Sequence, residues 1–466
     1  MKRVTGRARF RRTAAARLLR MLAVALAVCC AALAAGCSTD RAAVEPAEPL
    51  RVLMQQETFD SEYRDYFDAA FPGLAVEPVW TDLSPDEFYQ LADMDAELLK
   101  TIEAKRPDLI FSNDPSFYRR LADEGKLVEL SAWFEAAGMA EEDYHPGMIA
   151  TMRHNERGGL YGLSPAFNAT VLYYNEDLFK RFGIEPPRDG MTWQEVLRLA
   201  HRFKTGSTDS AGIVGFHQMY AERPLDYIMT IARTEGLSML DPASGKVTID
   251  TPAWLAVFEQ VFEVYRQETF ITQVVGTDNE DGVRMIGPED QKNADLFRQG
   301  KAAMQVGYYP DYEDVPFAAA AVSPPVSSAD RTRSADLYFY PIIGVYAGSE
   351  RQEQALEVMR YFASERLAKV KSRLTAVEYA QGKLSSHRAA VELANDPVVA
   401  GIYRQLPALP PTRDYIRADR ALYEQFDALL ARELERVMAD ETTVKEALRT
   451  IQAEGQAIFD GGEGQE

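Results

Sequence analysis

The chain has 466 residues, with 51 Lys and Arg against 71 Asp and Glu and a formal net charge of −20. So acidic a chain is a poor match for nucleic acid, whose binding rests on neutralising phosphates. Its length exceeds what one hydrophobic core supports, since cores stop growing at about 250–300 residues.

Residues 1–36 carry eight Lys/Arg and no acid, and end in sixteen uncharged residues, 21–36. A positive start, a short apolar stretch and small residues before a cut describe an export signal. The apolar stretch is shorter than the ~20 residues of a spanning helix. The segment Leu33-Ala34-Ala35-Gly36-Cys37 resembles the lipobox of bacterial lipoproteins, with Ala34 where Leu is commonest. That resemblance implies that Cys37 becomes the acylated first residue of the mature chain, held at the cell membrane on its extracytoplasmic side. An ordinary signal peptide with a stray Cys is the alternative. Cys29, Cys30 and Cys37 are the only cysteines, so the body has no disulfides, thiol catalysis or Cys-x-x-Cys metal sites. Without the leader's eight cations the net charge moves from −20 to −28. No basic patch is left to hold a membrane, so the lipid does that alone. Residues 38–49, small, polar and Pro-containing, read as a tether.

The body alternates strands and helices. Residues 50–54 are a short strand, followed by a helix with Phe59, Tyr63, Tyr66 and Phe67 at helical spacing. A second strand covers 74–80. Ser84-Pro85-Asp86-Glu87 is a helix start with cap, Pro and reciprocal acid. Residues 108–112 are a third strand, uninterrupted in its apolar centre as buried parallel strands are, and Asn113-Asp114-Pro115 opens the next helix. This βαβ order predicts an α/β fold with a parallel sheet and helices on both faces. Ligands in such sheets collect beyond the carboxyl ends of the strands. Gln56 after the first strand, and Asn113 and Asp114 after the third, are therefore candidates. Asp114 is equally suited to capping the helix that follows.

The most specific stretch runs from Gly158-Gly-Leu-Tyr-Gly-Leu-Ser-Pro through Asn168 to Leu172-Tyr-Tyr-Asn175, then Thr192-Trp-Gln-Glu195. It resembles the first interlobe crossover of the extracellular solute-binding proteins of family 1, the receptors of ABC importers that include maltose-binding protein. Thr192 and Glu195 independently form a capping box. Three further pieces resemble that family in order: Pro107-Asp-Leu-Ile-Phe111, Phe297-Arg-Gln-Gly-Lys-Ala-Ala-Met304, and Ile343-Gly-Val-Tyr-Ala347. The resemblance covers about residues 50–460. It implies a two-lobe periplasmic-binding-protein-like fold with hinge crossovers and a ligand cleft. Lobe one would be 50–166 plus 320–382, and lobe two 167–319 plus 383–466. The spacing of Leu422, Phe426, Leu429, Leu430, Val437 and Met438, and of Val444, Leu448 and Ile451, predicts two closing helices.

The resemblance places Asn168 as a polar ligand contact at the crossover, with hinge hydrogen bonding as the other role open to it. Tyr220 and Asp226 fall in a second-lobe loop that matches a contact region. Tyr308, Tyr309, Asp311 and Tyr312 follow the Ala-Ala-Met strand, where the family presents an aromatic to a sugar; Tyr309 and Asp311 are the candidates here. Tyr340, with Tyr338, flanks the return to lobe one, and Tyr173 and Tyr174 read as strand packing. Apolar sugar faces stack on such rings while hydroxyls take amides and carboxylates. No Trp falls in a ligand position.

No Gly-x-Ser-x-Gly elbow, His-Glu-x-x-His helix or phosphate-binding glycine loop occurs, so the chain is not expected to be an enzyme or to hold a cofactor or metal. Its five histidines, His145, His154, His201, His217 and His387, read as solvated loop residues. The expectation is a lipid-anchored receptor, monomeric, that captures a small polar solute by hinge closure and delivers it to the transmembrane subunits of an ABC permease. A sugar or oligosaccharide leads, with a polyamine or sugar phosphate behind it. The alternatives are a ligand sensor for a partner receptor and a secreted carbohydrate-active enzyme.

Overall fold

The computed structural model describes residues 48–462 apart from 92, 155–157, 206–211, 242–243, 271–274, 279–283, 313, 336, 375–382 and 409–419. Cys37 and the leader lie outside the described residues. The two main sheets use nine strands: β1 (Leu50–Leu53), β2 (Val76–Val79), β3 (Leu109–Ser112), β4 (Ala166–Asn175), β5 (Met304–Tyr308), β6 (Ala319–Val322), β7 (Leu337–Phe339), β8 (Ile342–Val345) and β9 (Lys383–Ser385).

The first sheet has the order β8-β3-β1-β2. β1 runs parallel to β2 and β3, as the βαβ order predicts, and every residue of β3 is buried. β8 departs from the expected all-parallel sheet, for it pairs antiparallel with β3. It returns to this sheet only after β4–β7 of the second, so no crossover helix constrains its direction.

The helix starts read from the sequence are made as expected. Ser84 and Glu87 exchange hydrogen bonds of 3.3 and 2.9 Å, and Thr192 and Glu195 do so at 3.3 and 2.8 Å. The Asp114 carboxylate accepts from the Ser116 amide at 2.7 Å, capping the helix Pro115–Asp123.

β4 is the centre of the second sheet, and all its pairings are antiparallel. Its first half lies between β7 and β9, and its second half between β5 and β6. Side chains alternate across a strand, and here the alternation divides the molecule. Phe167, Ala169, Val171 and Tyr173 enter one core, which also holds β1, β3 and β8. Leu172 enters the other, with Tyr174 packed against it. That second core is filled from the helices Trp193–Thr205, Pro224–Thr234, Pro252–Arg266, Arg420–Met438 and Val444–Gly462. Phe426, Leu429, Leu430, Val437, Leu448 and Ile451 are buried there on the faces their spacing predicts, while Met438 is exposed. Leu384, Val399 and Ile402 are buried in the first core, so residues 383–402 pack apart from the two closing helices.

Two histidines correct the solvated picture. His145 is fully buried. Its Nδ1 accepts from the Gly147 amide at 3.0 Å, capping the helix Pro146–Met152, and its ring packs against Phe167, Phe339 and Tyr403. His217 is buried beside β5, bridged to Gln305. Both are buried, which loop spacing does not reveal. Among the described residues no helix is long and apolar enough to cross a membrane, and no group of three His, Cys, Asp or Glu could hold a metal ion.

Candidate functional site

The polar face of β4 lies opposite Phe167 and Ala169. In an antiparallel ladder, residues directly across from one another share a face. Asn168 is paired with Tyr338 on one side and with Lys383 on the other. Thr170 is paired with Tyr308. Five side chains from four strands therefore stand in two adjacent rows. Asn168 is 6% exposed, whereas Tyr308 is 52% and Tyr338 44% exposed. Two large half-open rings thus border a polar floor.

That floor is incompletely satisfied. The Asn168 Nδ2 donates to the Tyr340 hydroxyl, but its Oδ1 has no partner, and the buried Thr170 Oγ1 has none either. A buried polar atom without a partner costs about 1–3 kcal/mol, and these two lie on one face of the strand. Tyr340 continues the row. Burial, then the nearby Tyr308 and Glu62, raise its phenol above the ordinary value. Lys383 holds its ammonium 5.9 Å above the Tyr340 ring and 2.8 Å from the Glu62 carboxylate. Both members of that ion pair also line a cavity of about 400 Å3, together with Ala166, Tyr66, Lys371 and His387.

The other candidates are distributed differently. Tyr309 donates its amide to Ala169 at 3.2 Å, stacks on Tyr173 with ring centres 6.4 Å apart, and gives its hydroxyl to Asp396. It lies on the first-core face, and the adjacent Tyr308 is the one that shares a face with Asn168. Asp311 pairs with Arg298 at 3.4 Å. Asp226 accepts the amides of Glu222 and Arg223 at 2.9 and 2.8 Å, at the start of the helix Pro224–Thr234. Tyr220 is exposed with φ of 63°. Gln56 donates to Asp60 at 2.9 Å on the surface, and Asn113 is exposed just beyond β3. Thr170, Lys383 and Glu62 had no signal in the sequence. Lys383 and Glu62 lie 321 residues apart; the β4 register brings Lys383 opposite Asn168, and the ion pair brings Glu62 to Lys383.

The model of the bacterial extracellular solute-binding protein family matches residues 54–369, more than half of the chain. The chain belongs to this family. It is a family of substrate-binding proteins, not of enzymes. A protein of Deinococcus radiodurans named as a probable ABC transporter-binding protein is 24% identical over 316 residues, 66% of this chain and 65% of that relative, so less than two thirds of its length is spanned. The sn-glycerol-3-phosphate-binding periplasmic protein of Brucella abortus is 22% identical over 156 residues, 32% of this chain and 35% of that one. The maltose-bound MalE3 structure of T. maritima superposes with a TM-score of 0.53 at 18% identity, covering 88% of this chain and 99% of that one. At such identity the likeness is one of fold. This solute-binding protein has the two-lobe periplasmic-binding-protein architecture expected of it, and β4 gives side chains to both cores.

Proposed function

We propose that this protein is the lipid-anchored, extracytoplasmic receptor of an ABC importer and that it binds a sugar or another polyhydroxylated solute on the polar face of β4. The observation that carries the reading is the pair of unsatisfied buried atoms, Asn168 Oδ1 and Thr170 Oγ1, between the half-exposed rings of Tyr308 and Tyr338. Solute hydroxyls would supply the missing donors, and the rings would cover the apolar faces of the solute. The maltose held by one protein of similar fold supports a carbohydrate.

Capture would proceed by closure of lobe one, 50–166 with 320–382, on lobe two, 167–319 with 383–466. The solute favours the closed form only through contacts made to both lobes, and the permease would recognise that form. Cys37 would carry the lipid. Calorimetry with a sugar library tests the site. Asn168→Ala is expected to weaken binding by about 1–3 kcal/mol with little change in unfolding temperature. Unchanged affinity in that variant would remove the β4 face from the reading.

A further inference from the structure

We infer that Glu62 is a specificity-determining residue that reserves the β4 site for uncharged solutes by neutralising Lys383. The inference rests on the receptor reading above and concerns the class of solute.

Lys383 is directly opposite Asn168 on the ladder, so its ammonium is the cation that an anionic group seated on this floor would meet. It is not available for that meeting. Glu62 Oε2 lies 2.8 Å from its Nζ, and the two side chains are 37% and 24% exposed. An ammonium partly shielded from water and already matched by a carboxylate gains little from a second anion. That anion would also stand beside the Glu62 carboxylate, where like charges repel. Meanwhile the neutral part of the floor, Asn168 Oδ1 and Thr170 Oγ1, is buried and lacks donors. Hydroxyl groups donate; a dianionic phosphate group does not. The site therefore welcomes neutral polyols and resists their phosphates, even though one relative of this chain is named for binding sn-glycerol 3-phosphate.

Removing the carboxylate while keeping its shape should turn the site around. In Glu62→Gln the Lys383 ammonium loses its fixed partner and becomes a charge-assisted donor toward phosphate. The experiment compares glycerol with sn-glycerol 3-phosphate, by thermal shift and calorimetry, on the wild-type protein, Glu62→Gln, Lys383→Gln and the double variant. Circular dichroism confirms that each is folded. The wild type is expected to gain no more from the phosphate ester than from glycerol. Glu62→Gln should bind the ester about tenfold more tightly than the wild type does, the scale of one charged hydrogen bond, and the double variant should lose that gain. Wild-type binding of the ester that disappears in Lys383→Gln overturns the inference and leaves the receptor reading standing. A Glu62→Gln protein without any gain also overturns it. If Asn168→Ala leaves sugar affinity untouched, the receptor reading fails first, and this inference with it.

Discussion

At the scale of single residues, His145 shows how far packing can move a proton. Burial pushes its imidazole down from 6.5 to about 4, against a small opposing pull from the Ile402 carbonyl. The unfolded chain takes up this proton near pH 6.5 and the folded chain only near 4. Between those values the unfolded state binds more protons, so stability falls as the pH drops. His217 and His387 are shifted the same way, by burial first. For His145 the loss is up to about 3 kcal/mol. Denaturant midpoints measured from pH 7 to 4 should decline in the wild type and decline less in His145→Asn, which keeps a side-chain acceptor for the helix start. Equal slopes in the two proteins would take His145 out of the acid response. Protonation also removes the Nδ1 lone pair that accepts from the Gly147 amide, so the cap and the charge fail together.

At the scale of elements, much was legible beforehand because it is local. The capping residues Ser84, Asp114 and Thr192 announce helix starts within four residues of chain, and the buried β3 announces itself by its apolar run. The closing helices were readable from their repeat. What was not readable depends on register. Whether Tyr308 or Tyr309 shares a face with Asn168 is decided by a pairing across to β4, and shifting by one residue exchanges the two faces. Asn168 was legible through a family resemblance, Lys383 and Glu62 not at all. The segment around Gly215 shows the same dependence on distant partners. It runs beside β5 through bridges at Val214 and His217, and a Cβ placed on Gly215 would stand 1.9 Å from the backbone oxygen of Ala200 in the helix Trp193–Thr205. No side chain can move to relieve that contact, so helix and segment must part. Gly215→Ala is expected to lower stability by about 3 kcal/mol, the upper end of overpacking. A chemical unfolding curve with an unchanged midpoint would show that this close approach is not what holds the two elements.

At the scale of the whole molecule, the proposed closure has a signature independent of solute identity. If the lobes meet around the solute, small-angle scattering should give a smaller radius of gyration once binding is saturated. An unchanged radius with confirmed binding would indicate a preformed pocket. β4 decides how such a movement is transmitted. Its odd residues Phe167, Ala169, Val171 and Tyr173 belong to one core and its even residue Leu172 to the other. The strand is a party wall: neither household can be remodelled without disturbing the plaster next door. A substitution deep among the helices that back Leu172, far from Asn168, should therefore be felt at the solute floor. In the same way, a solute that fixed Asn168 in place would steady side chains it never touches.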